Sequence, residues 1–326
     1  MQDRKIGKVI TYGLSLAASW AWGVSIIVGM ETVQIKGYIP FAIWAIANSL
    51  ALPLFGIISF GVPRLHEIID TKVVQIFTTC IMVFCLWIQM NAIYEKIQQL
   101  GLTITLCEII TIIITIALAI GLFKDGLIRN ILIDKTLWCI CYLVLIIMLI
   151  YARVMNLDYY EIISYGAKAD LSWAWNTVPI LFAGPIMNIQ NWQMAYKLKD
   201  EGLLKRSHVV AGIIFGIYMI FVFLLAHYKF DSVLYIIQVV AILCITITTM
   251  DAAIVGMQRI GGVKIGLIIA LMTICVWKFV IPMGVLNLWT FMGNRRKEMA
   301  IICIVVALGK YIYVDVIKRR KKNVSE

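Results

Sequence analysis

The stretch LSWAWNTVPILFAGPIMNIQNWQ (171–193) is long and apolar enough to enter a bilayer, yet it carries Pro179, the pair Gly184-Pro185, and then amides at Asn188, Gln190 and Asn191. Proline removes a backbone donor and clashes with the preceding turn. Amide side chains in hydrocarbon cost free energy unless they line a cavity or bond to protein. A lipid-facing helix would use Leu or Ile here, so the stretch reads as a membrane helix interrupted along its length. It opens with Ser172-Trp173-Ala174-Trp175, and the same four residues occur 153 positions earlier as Ser19-Trp20-Ala21-Trp22. Chance alone supplies about one such repeat in a chain of this composition, so a relation between two halves needs independent support.

Composition fixes the class. The 326 residues are 62% hydrophobic and 14% charged, with a mean hydropathy of +0.92. A water-soluble core of ordinary size cannot hide that much apolar surface. Runs long enough to cross a bilayer fall near 8–30, 37–63, 73–94, 102–123, 136–153, 171–193, 208–228, 232–257, 265–284 and 298–316. Their near-continuous apolarity excludes a membrane barrel, whose strands alternate polar and apolar residues over about ten positions. The expectation is an all-α membrane protein with ten transmembrane helices.

Basic residues orient the spans, because cytoplasmic connections keep Lys and Arg. With the N-terminus inside, the cytoplasmic segments hold Arg4, Lys5 and Lys8; Arg64 and Lys72; Lys124, Arg129 and Lys135; Lys197, Lys199, Lys205 and Arg206; Arg259 and Lys264; and the tail from Lys318 to Lys322. The early external connections hold only Lys36, Lys96, Arg153, Lys168 and Lys229. Both termini are therefore expected on the cytoplasmic side of a cell (inner) membrane. One cluster breaks the pattern: Arg295, Arg296 and Lys297 lie either outside or within a broken tenth helix. The net charge of +11 suits span ends that meet anionic headgroups and needs no nucleic acid. The first apolar stretch is span length without a small-x-small cleavage site, so it reads as a retained helix. Eight cysteines lie singly in apolar runs, and His66, His208 and His227 are scattered. No structural metal or cofactor is expected from such spacing.

The connection at 154–170 is the longest external one and separates a first repeat (1–153) from a second (171–326). Five spans per half is an odd number, so the second half enters the membrane in the opposite sense, which is the arithmetic of an inverted-topology repeat. In such transporters the first helix of each half is interrupted near the midplane, where freed carbonyls and half-helix ends bind ions and solute. Span six has the breakers named above. Span one has no proline, but Ser19, Gly23 and Ser25 cluster beside its tryptophans, a pattern that also serves close helix packing.

Span eight contains Thr246-Ile247-Thr248-Thr249-Met250-Asp251. At 1.5 Å per residue, the Ala18 to Trp22 stretch of span one reaches roughly 15 Å deep, which lets it meet Thr248 and Thr249. A sodium ion wants about five hard oxygen donors, and hydroxyls with freed carbonyls supply them. Threonine hydroxyls also bond back to their own helix. Asp251 is an intramembrane carboxylate, which either pairs with Arg259 or tunes an ion site. Glu108 and Lys278 also fall within spans, the latter near an end from which it can snorkel.

Three stretches resemble the solute:sodium symporter family, most closely the branch of urea and polyamine permeases. ASWAWGVSIIVGMETVQIKGYIPFAIW (18–44) is similar to the first core helix and following loop. FAGPIMNIQNWQMAYKL (182–198) is similar to the sixth, and ITTMDAA (247–253) to the Ser-Thr-x-Asp-Ser signature of the eighth. The resemblance implies a five-plus-five inverted repeat with discontinuous helices one and six, alternating access, and sodium between helices one and eight. By matching position, sodium would meet the carbonyls of Ala18 and Ala21 and the hydroxyls of Thr248 and Thr249; a shift of one along span one would move the carbonyls to Ser19 and Trp22. Solute would lie near Trp22, Ser25, Trp175, Asn176 and Asn188. The chain departs from the pattern at Asn188 (usually Asp), Met194 (usually Arg) and Ala252 (usually Ser), and its ten expected spans are close to the bare core, to which family members usually add helices before and after.

The leading expectation is sodium-coupled symport of a small polar solute, such as urea, an amine or an amide. The alternatives are a proton-coupled transporter of the same fold for amino acids or nucleobases, using Asp251 or Glu108, and a non-transporting membrane sensor or partner subunit. No nucleotide-binding GxxxxGK[ST] occurs, and no His, Cys or carboxylate cluster has a catalytic arrangement, so an enzyme is not expected.

Overall fold

Backbone polar groups in hydrocarbon must be satisfied within their own segment, which makes helices the solution for the apolar runs of this chain. A computed structural model describes residues 2–61, 71–123, 126–164, 167–188, 191, 192, 194, 198 and 200–313. Arg64, His66, Lys124, Gln190, Lys197, Lys199 and the basic tail at 318–322 lie outside the described residues. The helices are α1 (Gln2–Trp20), α2 (Val24–Glu31, continued by a π turn over Thr32–Lys36), α3 (Tyr38–Gly61), α4 (Lys72–Gln98), α5 (Ile104–Gly121), α6 (Gly126–Val154), α7 (Lys168–Met187), α8 (Glu201–Leu225), α9 (Ser232–Met257), α10 (Gly262–Trp277) and α11 (Val285–Tyr311).

Six of these, α3, α4, α5, α6, α8 and α9, are long and apolar enough to cross a membrane. The pair α1 and α2, bent by 67° at a short break, makes a seventh when taken as one span. The protein is an all-helical integral membrane protein. Helices α4 and α9 have the most buried apolar windows among the six, whereas α5 exposes Ile104, Ile109, Ile113 and Ile120 and α6 exposes Ile128, Leu132 and Ile150, as lipid-facing surfaces do.

The packing has an exchange pattern. Swap α1 with α7, α3 with α8, α4 with α9, α5 with α10 and α6 with α11, and nearly every contact maps onto another. Helix α8 packs on α1 as α3 packs on α7, and α6 on α1 as α11 on α7. Likewise α6 packs on α9 as α11 on α4, and α10 on α9 as α5 on α4. The pairs α3–α8, α4–α9 and α5–α10 map onto themselves. The packing of α6 on α8 has no counterpart of similar extent.

The connection between α6 and α7 is bonded to its surroundings. Tyr160 N–H donates to the His227 carbonyl at 2.7 Å and Lys229 N–H to the Asp158 carbonyl at 2.8 Å, around an isolated bridge between Tyr159 and Tyr228. Ile39 N–H donates to the Ser164 carbonyl at 2.9 Å, and Lys36 pairs with Asp170 at 2.8 Å.

Several boundaries differ from the sequence reading. Helix α6 begins at Gly126 rather than 136, because its buried stripe of Asn130, Asp134, Trp138 and Cys141 starts a turn and more before the apolar run. Helix α11 begins at Val285 rather than 298, so Arg295, Arg296 and Lys297 sit inside one continuous helix. Helix α7 runs through Pro179 and Pro185 and is interrupted at Asn188, whose backbone is extended (φ −89°, ψ 105°). That interruption follows Trp22, at the break of the first span, by 166 residues, not 153. The second Ser-Trp-Ala-Trp lies in the opening turns of α7, sixteen residues before its interruption, so the repeated tetrapeptide does not mark equivalent positions.

Candidate functional site

The break between α1 and α2 decides the local chemistry. A helix needs the Ser25 amide to close a turn on Ala21; here it donates instead to the Trp22 carbonyl at 2.7 Å. The Ala21 carbonyl is left to accept from the Thr249 hydroxyl at 3.0 Å. One turn earlier, the Thr248 hydroxyl lies 3.4 Å from the Ala18 carbonyl. Both hydroxyls also reach back to the Ile245 carbonyl, at 2.7 Å from Thr248 and 3.0 Å from Thr249. A hydroxyl has one proton and two lone pairs. When that proton is spent on Ile245, the hydroxyl presents lone pairs to the α1 carbonyls, an arrangement suited to a cation between them. Oxygens about 2.4 Å from a hard cation and at right angles to one another stand about 3.4 Å apart, close to the spacing here.

The four residues assigned to the ion in the sequence are thus neighbours, in the first of the two registers: the hydroxyls lie against the Ala18 and Ala21 carbonyls, and the Trp22 carbonyl of the second register is taken by Ser25. Gln89 of α4 secures the far side of the break, its Oε1 accepting from Gly23 N–H at 3.1 Å. Gly23 permits this approach, since a Cβ there would stand 2.0 Å from Thr246 Oγ1 and 3.2 Å from Gln89 Oε1.

Beside the break is a cavity of about 40 Å³, lined among others by Trp22, Ser25, Trp44, Asn48, Trp289 and Arg296. A smaller one of about 10 Å³ is lined by Ser19, Trp22, Asn188, Thr249 and Arg296, among others. Trp22, Ser25 and Asn188, three of the residues expected near solute, therefore line one or both of these cavities, although the Ser25 hydroxyl is 2.7 Å from that of Tyr218. Trp175 and Asn176 do not. Trp175 is 60% exposed, and Asn176 is exposed with its side chain 3.4 Å from Ser172, because both belong to the opening turns of α7, far from its interruption. The interruption itself is held by side chains: Asn191 Nδ2 donates to the Pro185 carbonyl and Trp192 Nε1 to the Ile186 carbonyl, each at 2.8 Å.

The residue the sequence reading did not assign is Arg296. It is 7% exposed, lines both cavities, and holds its guanidinium 4.7 Å from the Trp22 ring centroid. Its Nη2 lies 3.7 Å from the Met292 sulfur, and its Nε is buried without a partner. No carboxylate among the described residues pairs with it. A desolvated cation–π contact is worth about 2 kcal/mol, less than the several kcal/mol that burying an unpaired ion costs. The spacing of Trp289, Met292, Gly293 and Arg296 along one helical face was the available signal.

Asp251 is buried, but it does not pair with Arg259. It faces Asp134 and Asn130 of α6, and Asp134 in turn accepts from Ser15 Oγ of α1 at 2.5 Å. Two carboxylates packed away from water hold either a shared proton or a cation. Glu108, by contrast, pairs at 3.3 Å with Lys278, whose side chain is largely exposed.

Comparison of the sequence with models of known protein families and with characterised proteins finds no match to either.

Proposed function

We propose that this protein is a secondary active transporter in which a sodium gradient drives a small polar solute across the membrane by alternating access. The carrying observation is the convergence of the Ala18 and Ala21 carbonyls with the Thr248 and Thr249 hydroxyls at the break of the first span. In this reading the chain forms ten spans as two inverted five-helix repeats, α1–α2 through α6 and α7 through α11, with both termini cytoplasmic. The exchange pattern of helix contacts supports that architecture, because an inverted repeat pairs each helix with the one five spans later. The interruptions at the first span and at Asn188 support it too. Solute would sit in the cavity between Trp22, Ser25, Asn48 and Arg296, next to the ion.

The test is uptake or binding by purified protein in liposomes across a broad solute panel, with sodium against choline. Absence of any sodium-dependent signal across that panel overturns the reading. A second reading, proton coupling, is favoured by the juxtaposition of Asp251 and Asp134. Solute affinity measured against sodium at fixed pH, and against pH without sodium, separates the two.

A further inference from the structure

Two donors belonging to residues on the wall of the larger cavity are left over. Arg296 Nε is buried without a partner, and so is Trp44 Nε1; both residues line the cavity. Three other polar groups on its wall are engaged: Trp20 Nε1 donates to the Asn48 carbonyl at 3.2 Å, Asn48 Nδ2 to the Trp44 carbonyl at 3.0 Å, and Ser25 bonds Tyr218; the Asn48 side-chain oxygen is an acceptor on that wall. The remaining surface is aromatic and aliphatic, from Ile180, Leu181, Phe215 and Met292. A buried guanidinium presents paired donors that match a planar carboxylate in a bidentate fork. A neutral amide would leave the charge uncompensated, and an amine would add a second one of the same sign.

From this we infer that the solute is a small carboxylate anion, held by Arg296 and Trp44 with its apolar part against the aliphatic and aromatic wall. Arg296 also borders the small cavity that Thr249 lines, so the anion binds beside the cation site. Cation and carboxylate neutralise one another there, which couples their binding directly. The inference rests on the transport reading for its setting, but the anion site stands on its own donors.

The experiment uses the purified full-length chain and thermal unfolding, since selective binding stabilises the folded state by mass action. Propionate, lactate and benzoate are each compared with the corresponding neutral amide, in sodium chloride and in choline chloride. The expected result is stabilisation by at least one carboxylate and not by its amide, enhanced in sodium. Arg296→Met, which keeps the apolar stem, should abolish that shift, and Trp44→Phe should weaken carboxylate affinity severalfold. Both variants should keep a single cooperative unfolding transition and elute from size exclusion as the wild type does, which shows that they fold. Equal action of amides, persistence of the carboxylate shift in Arg296→Met, or no response to any carboxylate overturns the inference. A carboxylate shift that depends on Arg296 but not on sodium leaves the anion site in place and removes the sodium reading; a sodium shift without any carboxylate response does the reverse.

Discussion

The Thr249 hydroxyl donates to the Ala21 carbonyl at 3.0 Å, which joins the middle of α9 to the gap between α1 and α2. Only an interrupted helix frees that carbonyl, and only a residue with a hydroxyl at this depth of α9 reaches it. Thr249→Ala should therefore weaken sodium binding about 10- to 100-fold, the equivalent of the 1.5–3 kcal/mol typical of a hydrogen-bonding group acting on a charge. Thr249→Ser should stay within a few-fold of wild type, and Thr248→Ala should behave like Thr249→Ala. The sodium concentration for half-maximal thermal stabilisation is the measurement; an unchanged midpoint in both alanine variants contradicts the site.

At Gly23 the Thr246 side chain of α9 lies close against the break. A methyl group there would stand 2.0 Å from Thr246 Oγ1, so Gly23→Ala should destabilise the protein by about 1–3 kcal/mol, as overpacking does. Removing the obstructing hydroxyl in the double variant Gly23→Ala/Thr246→Ala should recover part of the loss. Thermal unfolding of the four members of the cycle gives the coupling, and additive losses would show that the two residues do not meet.

Membrane class, the broken first span and the threonine pair were legible because each is a local property: long apolar runs, small residues beside tryptophans, hydroxyls where Leu would suffice. The contribution of α11 was not. Hydropathy treats Arg295, Arg296 and Lys297 alike as charges at a span end, yet Arg295 turns outward to Glu298 at 2.8 Å while Arg296 turns inward to the cavity. Asp134 escaped for the same reason, since Lys135 beside it signals an interface although the i−4 neighbour Asn130 shares its buried face. The tetrapeptide echo drew attention to Trp175, which lies in the wrong part of its helix. Such assignments need to know which side of a helix faces which neighbour, and composition does not record it.

The connection at 154–170 should loosen in acid. The hydrogen bond donated by Lys36 holds the Asp170 carboxyl below the ordinary aspartate range, with the positive charge of Lys36 adding to the effect. A depressed value means that the pair's contribution is complete above the unfolded pKa of about 3.9 and is lost as pH falls through the lower folded value. Hydrogen exchange at Ile39, whose amide bonds the Ser164 carbonyl, should accelerate severalfold in Asp170→Asn at neutral pH after correction for intrinsic rate. Below pH 4 the wild type should approach the variant; identical exchange at neutral pH would show that the ion pair does not hold the connection.

Asp134 and Asp251 bring the carboxylates of α6 and α9 together next to α1, one turn from Thr248. If the pair shares a proton, an asparagine can supply the same donor, so Asp251→Asn should fold with a loss below about 1.5 kcal/mol, the scale of one hydrogen bond. Asp251→Ala leaves Asp134 facing an apolar gap and should cost about 3–5 kcal/mol, as breaking a buried charged pair does. Solute affinity between pH 5 and 8 distinguishes what the pair does for transport. Under sodium coupling with a structural carboxylate pair, Asp251→Asn keeps both its sodium response and its pH profile. Under proton coupling it keeps the solute site but loses the pH dependence. Loss of the sodium response in Asp251→Asn, with folding intact, would instead make the pair part of the cation site and move the ion one turn along α9 from the threonine hydroxyls.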